Sequence, residues 1–90
     1  HGAKYGLSDL DRIWLRRVVQ AAFFKRRKKL LNSMRSSGVL QTFDIGQVLE
    51  LVGIDPETRA ETIGVGDYLR LARAFSEREQ EHQRQRLFIN

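Results

Sequence analysis

Lys25-Arg26-Arg27-Lys28-Lys29 places five cations in a row, between Phe23-Phe24 and the apolar pair Leu30-Leu31. Ammonium and guanidinium groups gathered in this way suit a polyanion, because each can neutralise a phosphate and release its condensed counterion. Crowding them costs local self-repulsion, so the run needs a reason beyond local stability. The wider charge pattern points the same way. The chain carries a net charge of +5, yet residues 1–36 hold ten Lys/Arg against two Asp, and residues 37–90 hold six Arg against nine Asp/Glu. Such asymmetry makes nucleic acid the first candidate partner. A solvated basic face with no partner is the alternative.

Groups for other chemistry do not converge. His1 and His82 stand near opposite ends of the sequence, and the absence of Cys excludes disulfides and thiolate metal sites. Gly64-Val65-Gly66-Asp67 has the look of a glycine-rich phosphate loop, but it follows no strand and lacks a third glycine. A helix start is the better reading. Trp14 and the phenylalanines fall at core spacing, with base stacking the lesser alternative. No catalytic, metal or cofactor site is therefore expected in these residues. No apolar run approaches the ~20 residues of a membrane span, so a membrane partner is not expected. The lack of Cys fits a reducing, cytoplasmic setting.

The elements that must position the cations read as helices. A chain of 90 residues makes one domain at most. Residues 1–7 read as a leader and linker, with His-Gly as an appended remnant and the chain as a piece of a longer protein. Ser8 caps a first helix, with Asp11 at the capping-box position. Leu10, Ile13, Trp14, Val18, Ala21 and Ala22 form its apolar face, and Arg12, Arg16 and Gln20 the opposite ridge. Asp44 caps a third helix whose stripe is Ile45, Val48, Leu49 and Val52, ended by Gly53. Asp55-Pro56 restarts the chain in a short helical turn. Gly64 opens a last helix with Val65, Tyr68, Leu69, Ala72 and Phe75 inward. Residues 8–76 form the domain, and 77–90 a polar helical extension that frays. The fold class is all-α, a small bundle of four to five short helices.

The second helix is the difficult one. At ~100° per residue, five consecutive positions sweep the whole circumference of a helix. The five cations cannot all face water if 23–34 is a single helix. Arg27, three residues before Leu30 and four before Leu31, would turn toward the core. The expectation is a bend after Phe24, a second helix over 26–36 stopped by Ser36-Ser37-Gly38, and a half-buried Arg27 paired with a carboxylate of 52–61. Asp55, Glu57 and Glu61 are the candidates, and Arg59 is likewise expected in an internal ion pair. Lys25, Arg26, Lys28 and Lys29 then remain to contact nucleic-acid phosphates, helped by Arg12, Arg16 and Arg35.

Two motifs carry a resemblance. Phe24, Arg26-Arg27-Lys28, Leu30 and Asn32 resemble the stretch opening the C-terminal domain of the small-subunit rRNA adenine N6,N6-dimethyltransferase family. Gly53-Ile54-Asp55, Arg59-Ala60-Glu61, Tyr68 and Leu71-Ala72 resemble a second family stretch, in the same order. The likeness covers about residues 8–76. It departs at Lys29, where the family usually has Thr, and at Gly64, where it usually has Ser. The resemblance implies a parent enzyme whose N-terminal domain binds S-adenosylmethionine and dimethylates two adjacent adenines in the 3′-terminal hairpin of small-subunit rRNA. It implies that this segment lacks cofactor and transfer activity of its own. Its partners would be the immature small subunit and the N-terminal methyltransferase domain of the same chain, with the protein a monomer. A protein-interaction module and a DNA-binding helical domain, each using the same basic face, are the rival readings. The large-subunit resistance methyltransferases share the architecture, but Gly-Ile-Asp and Arg-Ala-Glu favour the small-subunit group.

Overall fold

The computed structural model describes residues 7–25, 27–40 and 43–89, with the side chains of 86–89 outside the description. Among the described residues four α-helices follow one another: α1 (Asp9–Phe23), α2 (Leu30–Ser37), α3 (Ile45–Val52) and α4 (Val65–Ile89). A 3₁₀ turn, Ala60–Thr62, precedes the last. No strand occurs among the described residues, and no helix among them is long and apolar enough to cross a membrane.

Local chemistry sets the helix ends. The Ser8 hydroxyl accepts from the Asp11 N–H while the Asp11 carboxylate accepts from the Ser8 N–H, a reciprocal capping box. The Asp44 carboxylate accepts from the Gln47 N–H and starts α3. Helix α3 ends at Gly53, whose φ of 77° is in the left-handed region where a side chain would strain the backbone. Gly38 closes α2 in the same way, with φ 73°. Helix α4 starts where the Gly64 carbonyl accepts from both Asp67 and Tyr68. Gly64-Val65-Gly66-Asp67 thus has its backbone committed to opening a helix.

Helix α1 packs against both α2 and α4. Trp14, Val18, Ala21 and Ala22 are its buried stripe, facing Leu30 and Met34 of α2 and Leu71, Ala72 and Phe75 of α4. Phe43, from the loop before α3, joins these layers through edge-on contacts with Trp14 at 5.9 Å and Phe75 at 5.2 Å. Such pairs are worth about 0.5–1.5 kcal/mol beyond simple burial. The His82 ring stacks on Phe43, so α4 stays against the bundle beyond residue 76, and the helix continues to Ile89.

Four sequence expectations are corrected. Leu10 and Ile13 are 43% and 52% exposed, because the buried stripe of α1 is centred on Trp14 and Val18 and leaves them on its outer edge. Val65 is exposed and Leu71 is buried, because the buried stripe of α4 starts at Tyr68. The second helix begins at Leu30, not at residue 26. Residues 56–58 form a non-helical turn rather than a short helix.

Candidate nucleic-acid interface

The five-cation run lies in the connection between α1 and α2. The chain leaves the helix after Phe23, and the Lys25 carbonyl accepts from the Lys28 N–H at 2.8 Å, closing a tight turn. Lys25, Arg27, Lys28 and Lys29 are all exposed; Arg26 lies outside the described residues. The turn follows the C-terminus of α1, the negative end of its dipole, which partly offsets the repulsion among the cations.

A residue overlooked in the sequence holds this turn from inside. Ser33 is fully buried. Its hydroxyl lies 3.0 Å from the Ala21 carbonyl and 2.9 Å from the Ala22 carbonyl, the acceptors for its proton, and it accepts from the Lys25 N–H at 2.8 Å. One side chain of α2 therefore satisfies the frayed end of α1 and fixes the first backbone group of the turn. The available signal was polarity out of place. Ser33 lies three residues after Leu30 and beside Met34, on the buried face of an amphipathic helix.

The far end of the turn is held by another segment. Helix α2 has Lys29 at its N-cap and no side-chain cap. Its first N–H groups are taken by backbone instead. The Thr58 carbonyl accepts from the Leu30 N–H at 2.7 Å, and the Pro56 carbonyl accepts from the Leu31 N–H at 3.2 Å. Asp55 shapes that acceptor loop: its carboxylate accepts from the Glu57 N–H at 2.8 Å and its carbonyl from the Thr58 N–H at 3.1 Å. Farther along, the Tyr68 hydroxyl donates to the buried Ala60 carbonyl at 2.6 Å, and burial pushes the tyrosine up to about 12.

The expected internal ion pairs are corrected here. Arg27 is exposed and forms no ion pair among the described residues. The helical phase that turned it inward does not apply, because residues 24, 25 and 27–29 are not helical. The cation that meets the 52–61 segment is Lys29, whose ammonium contacts the Glu57 carboxylate, with both side chains more than half exposed. Asp55 caps its own loop. Arg59 and Glu61 are exposed and unpaired among the described residues, and Arg59 contributes its carbonyl, which accepts from the Thr62 N–H. The remaining ion pairs among the described residues are Arg70 with Asp67 and Arg73 with Asp11. Arg70 also donates to the Val52 carbonyl at the end of α3. The Asp11 carboxyl is held below the ordinary carboxylate range, chiefly by the Ser8 N–H and also by Arg73.

The other expected phosphate contacts divide. Arg12 and Arg16 are exposed on the outer face of α1, where with Ile13, Arg17 and Gln20 they line a shallow concavity. Arg16 stands about 10 Å along the axis from the end of the helix. Arg17 is an addition to that set: its guanidinium lies 4.8 Å from the centre of the Trp14 ring, a cation–π contact. Arg35 is exposed on α2 but belongs to the α3 side, since a Cβ placed on Gly46 would lie 3.9 Å from its guanidinium.

Comparison with known proteins gives a consistent result. The chain is 39% identical over 67 residues to ribosomal RNA small subunit methyltransferase A of Myxococcus xanthus, covering 73% of this chain and 24% of that protein. It is 44% identical over 62 residues to the protein of the same name from Novosphingobium aromaticivorans, covering 69% and 21%. The Desulforapulum autotrophicum protein of that name is 44% identical over 63 residues, covering 69% and 22%. The chain thus spans between a fifth and a quarter of the length of these relatives. No protein-family model matches it, and no solved structure is significantly similar.

Proposed function

We propose that this chain, a relative over most of its length of the ribosomal RNA small subunit methyltransferases A, is the RNA-docking helical domain of such an enzyme. The parent enzyme would use S-adenosylmethionine to dimethylate two adjacent adenines in the 3′-terminal hairpin of small-subunit rRNA, in the cytoplasm, during small-subunit maturation. Cofactor and transfer chemistry belong to an N-terminal domain of the same polypeptide. Docking is the part assigned to these residues, acting as a monomer on the immature subunit.

The observation that carries this reading is a turn held by the Ser33 hydroxyl at one end and by the Pro56 and Thr58 carbonyls at the other, with Lys25, Arg27 and Lys28 exposed. A backbone already held in place lowers the ordering cost of binding, which the cationic side chains still have to meet. Such contacts orient a protein on RNA without reading bases. Arg27 joins the phosphate-binding set in place of its expected role as a brace. Arg12 and Arg16 extend the surface along α1. The test is fluorescence anisotropy of the chain with a labelled RNA hairpin over a salt series. Binding that weakens by about 0.7–0.9 log unit per log unit of salt for each phosphate contact supports the reading. No binding at micromolar RNA, or binding indifferent to salt, refutes it. Equal competition by duplex DNA would redirect the assignment to the DNA-binding alternative.

One observation favours a protein partner for the outer face of α1. Leu10, Ile13 and Phe24 are exposed there among Arg12, Arg16 and Arg17. Arginine mixed with exposed apolar side chains is typical of protein interfaces, where lysine is depleted. The N-terminal methyltransferase domain is the partner this reading supplies.

A further inference from the structure

Resting on the RNA-docking reading, we propose that Glu57 is a built-in competitor for the phosphates, so that Lys29 binds RNA only by exchanging one anion for another. The four described cations of the turn are alike in exposure but not in company. Only Lys29 has a carboxylate within ion-pair distance among the described residues. Glu57 stands in the loop whose Pro56 and Thr58 carbonyls hold the start of α2. Its backbone N–H is fixed by Asp55. The carboxylate is therefore carried to the edge of the basic turn by the same backbone bonds that shape the turn. It is also more than half exposed, so it can part from Lys29 without any rearrangement of the core.

The ion balance of the exchange makes the idea measurable. When a free lysine meets an RNA phosphate, a cation condensed on the RNA is released to solution. When Lys29 does so, the RNA again releases a cation, but the Lys29–Glu57 ion pair has to be given up. Salt screens that pair as well as the phosphate contact, so Lys29 contributes less to the salt dependence than an unpaired cation does. Lys25, Arg27 and Lys28 carry no such offset. The turn is consequently selective for phosphate groups crowded closely enough to outcompete a tethered carboxylate, and is weakened against isolated phosphates on irregular RNA.

The experiment compares the intact chain with Glu57→Gln, Lys29→Gln and the double variant, using anisotropy of a labelled RNA hairpin over a salt series. Glu57→Gln leaves the loop backbone bonds in place, and an unchanged helical spectrum and melting curve verify the fold. Glu57→Gln is expected to tighten binding about two- to fivefold, the scale of an exposed ion pair. It should also steepen the salt slope, by less than the about 0.7–0.9 of a whole phosphate contact. Lys29→Gln should cost little affinity in the intact chain and clearly more in the Glu57→Gln background. Glu61→Gln, an unpaired carboxylate of the same segment, should tighten binding less and should not change the effect of Lys29→Gln. Weaker binding by Glu57→Gln, an unchanged slope, or additive effects of the two substitutions would each overturn the proposal and make Glu57 a support for Lys29. Failure of the intact chain to bind RNA would instead remove the docking reading itself.

Discussion

Residues 23–34 and 53–61, each inside one of the two stretches that carry the family resemblance, meet at one seam and contribute different things to it. The first gives side chains: Lys25, Arg27, Lys28 and Lys29 are exposed, and their charge faces water. The second gives backbone: the carbonyls of Pro56, Thr58 and Ala60 are committed to Leu31, Leu30 and Tyr68. A charged side chain gains nothing by being buried unless a partner fully compensates its lost hydration. A helix N-terminus, by contrast, needs acceptors wherever it lies. The contrast explains why a motif rich in Asp, Glu and Arg anchors the basic turn through backbone and adds only the exposed Lys29–Glu57 pair, with no buried pair to Arg27.

Ser33 is where the inner side of this seam breaks most easily. Ser33→Ala should destabilise the fold by about 1–3 kcal/mol, because the part-buried Lys25 N–H and the buried Ala21 and Ala22 carbonyls lose the Ser33 hydroxyl. Chemical denaturation measures the loss, and an unchanged midpoint would mean that water substitutes for the hydroxyl. Tyr68→Phe should cost about 1 kcal/mol and should also change the alkaline limb. The folded tyrosine titrates at about 12, above its ordinary value near ~10. Its contribution is therefore fully present below ~10 and is lost as pH rises toward the folded value. The wild type should lose stability over that interval, and the phenylalanine variant should lose less of it. Melting curves across the alkaline range decide this.

On the outer side the effects on folding are small and those on binding are not. Arg27→Ala and Lys25→Ala should each leave stability within about 0.5 kcal/mol, as expected for surface positions. Each should reduce the salt slope for RNA by about 0.7–0.9. A sharp fall in melting temperature for Arg27→Ala would restore its inward role and erase the contrast between the two stretches. The smallest effect is expected at Asp11→Asn. The Asp11 carboxyl is held below its ordinary range by the Ser8 N–H and Arg73. Its contribution is present above the unfolded carboxylate value near ~4 and disappears as pH falls through the folded one. Acid melts of the two proteins should differ above that interval and converge below it.

Much of this was legible before any coordinates. The caps at Ser8 and Asp44, the stop at Gly53 and the opening of the last helix at Gly64 follow from bonds reaching three or four residues, and short-range chemistry is written in short stretches of sequence. The break after the phenylalanines was legible too, since five adjacent cations cannot share one face of a helix. Which carboxylate meets which cation was not. Glu57 and Lys29 are 28 residues apart, and their meeting depends on a loop docking on a helix end through backbone atoms that every residue possesses. Side-chain identity alone does not encode that choice. The inward role of Ser33 is of the same kind: a serine in an amphipathic helix is ordinary, and only the arrival of the end of α1 against it turned a hydroxyl into a clamp.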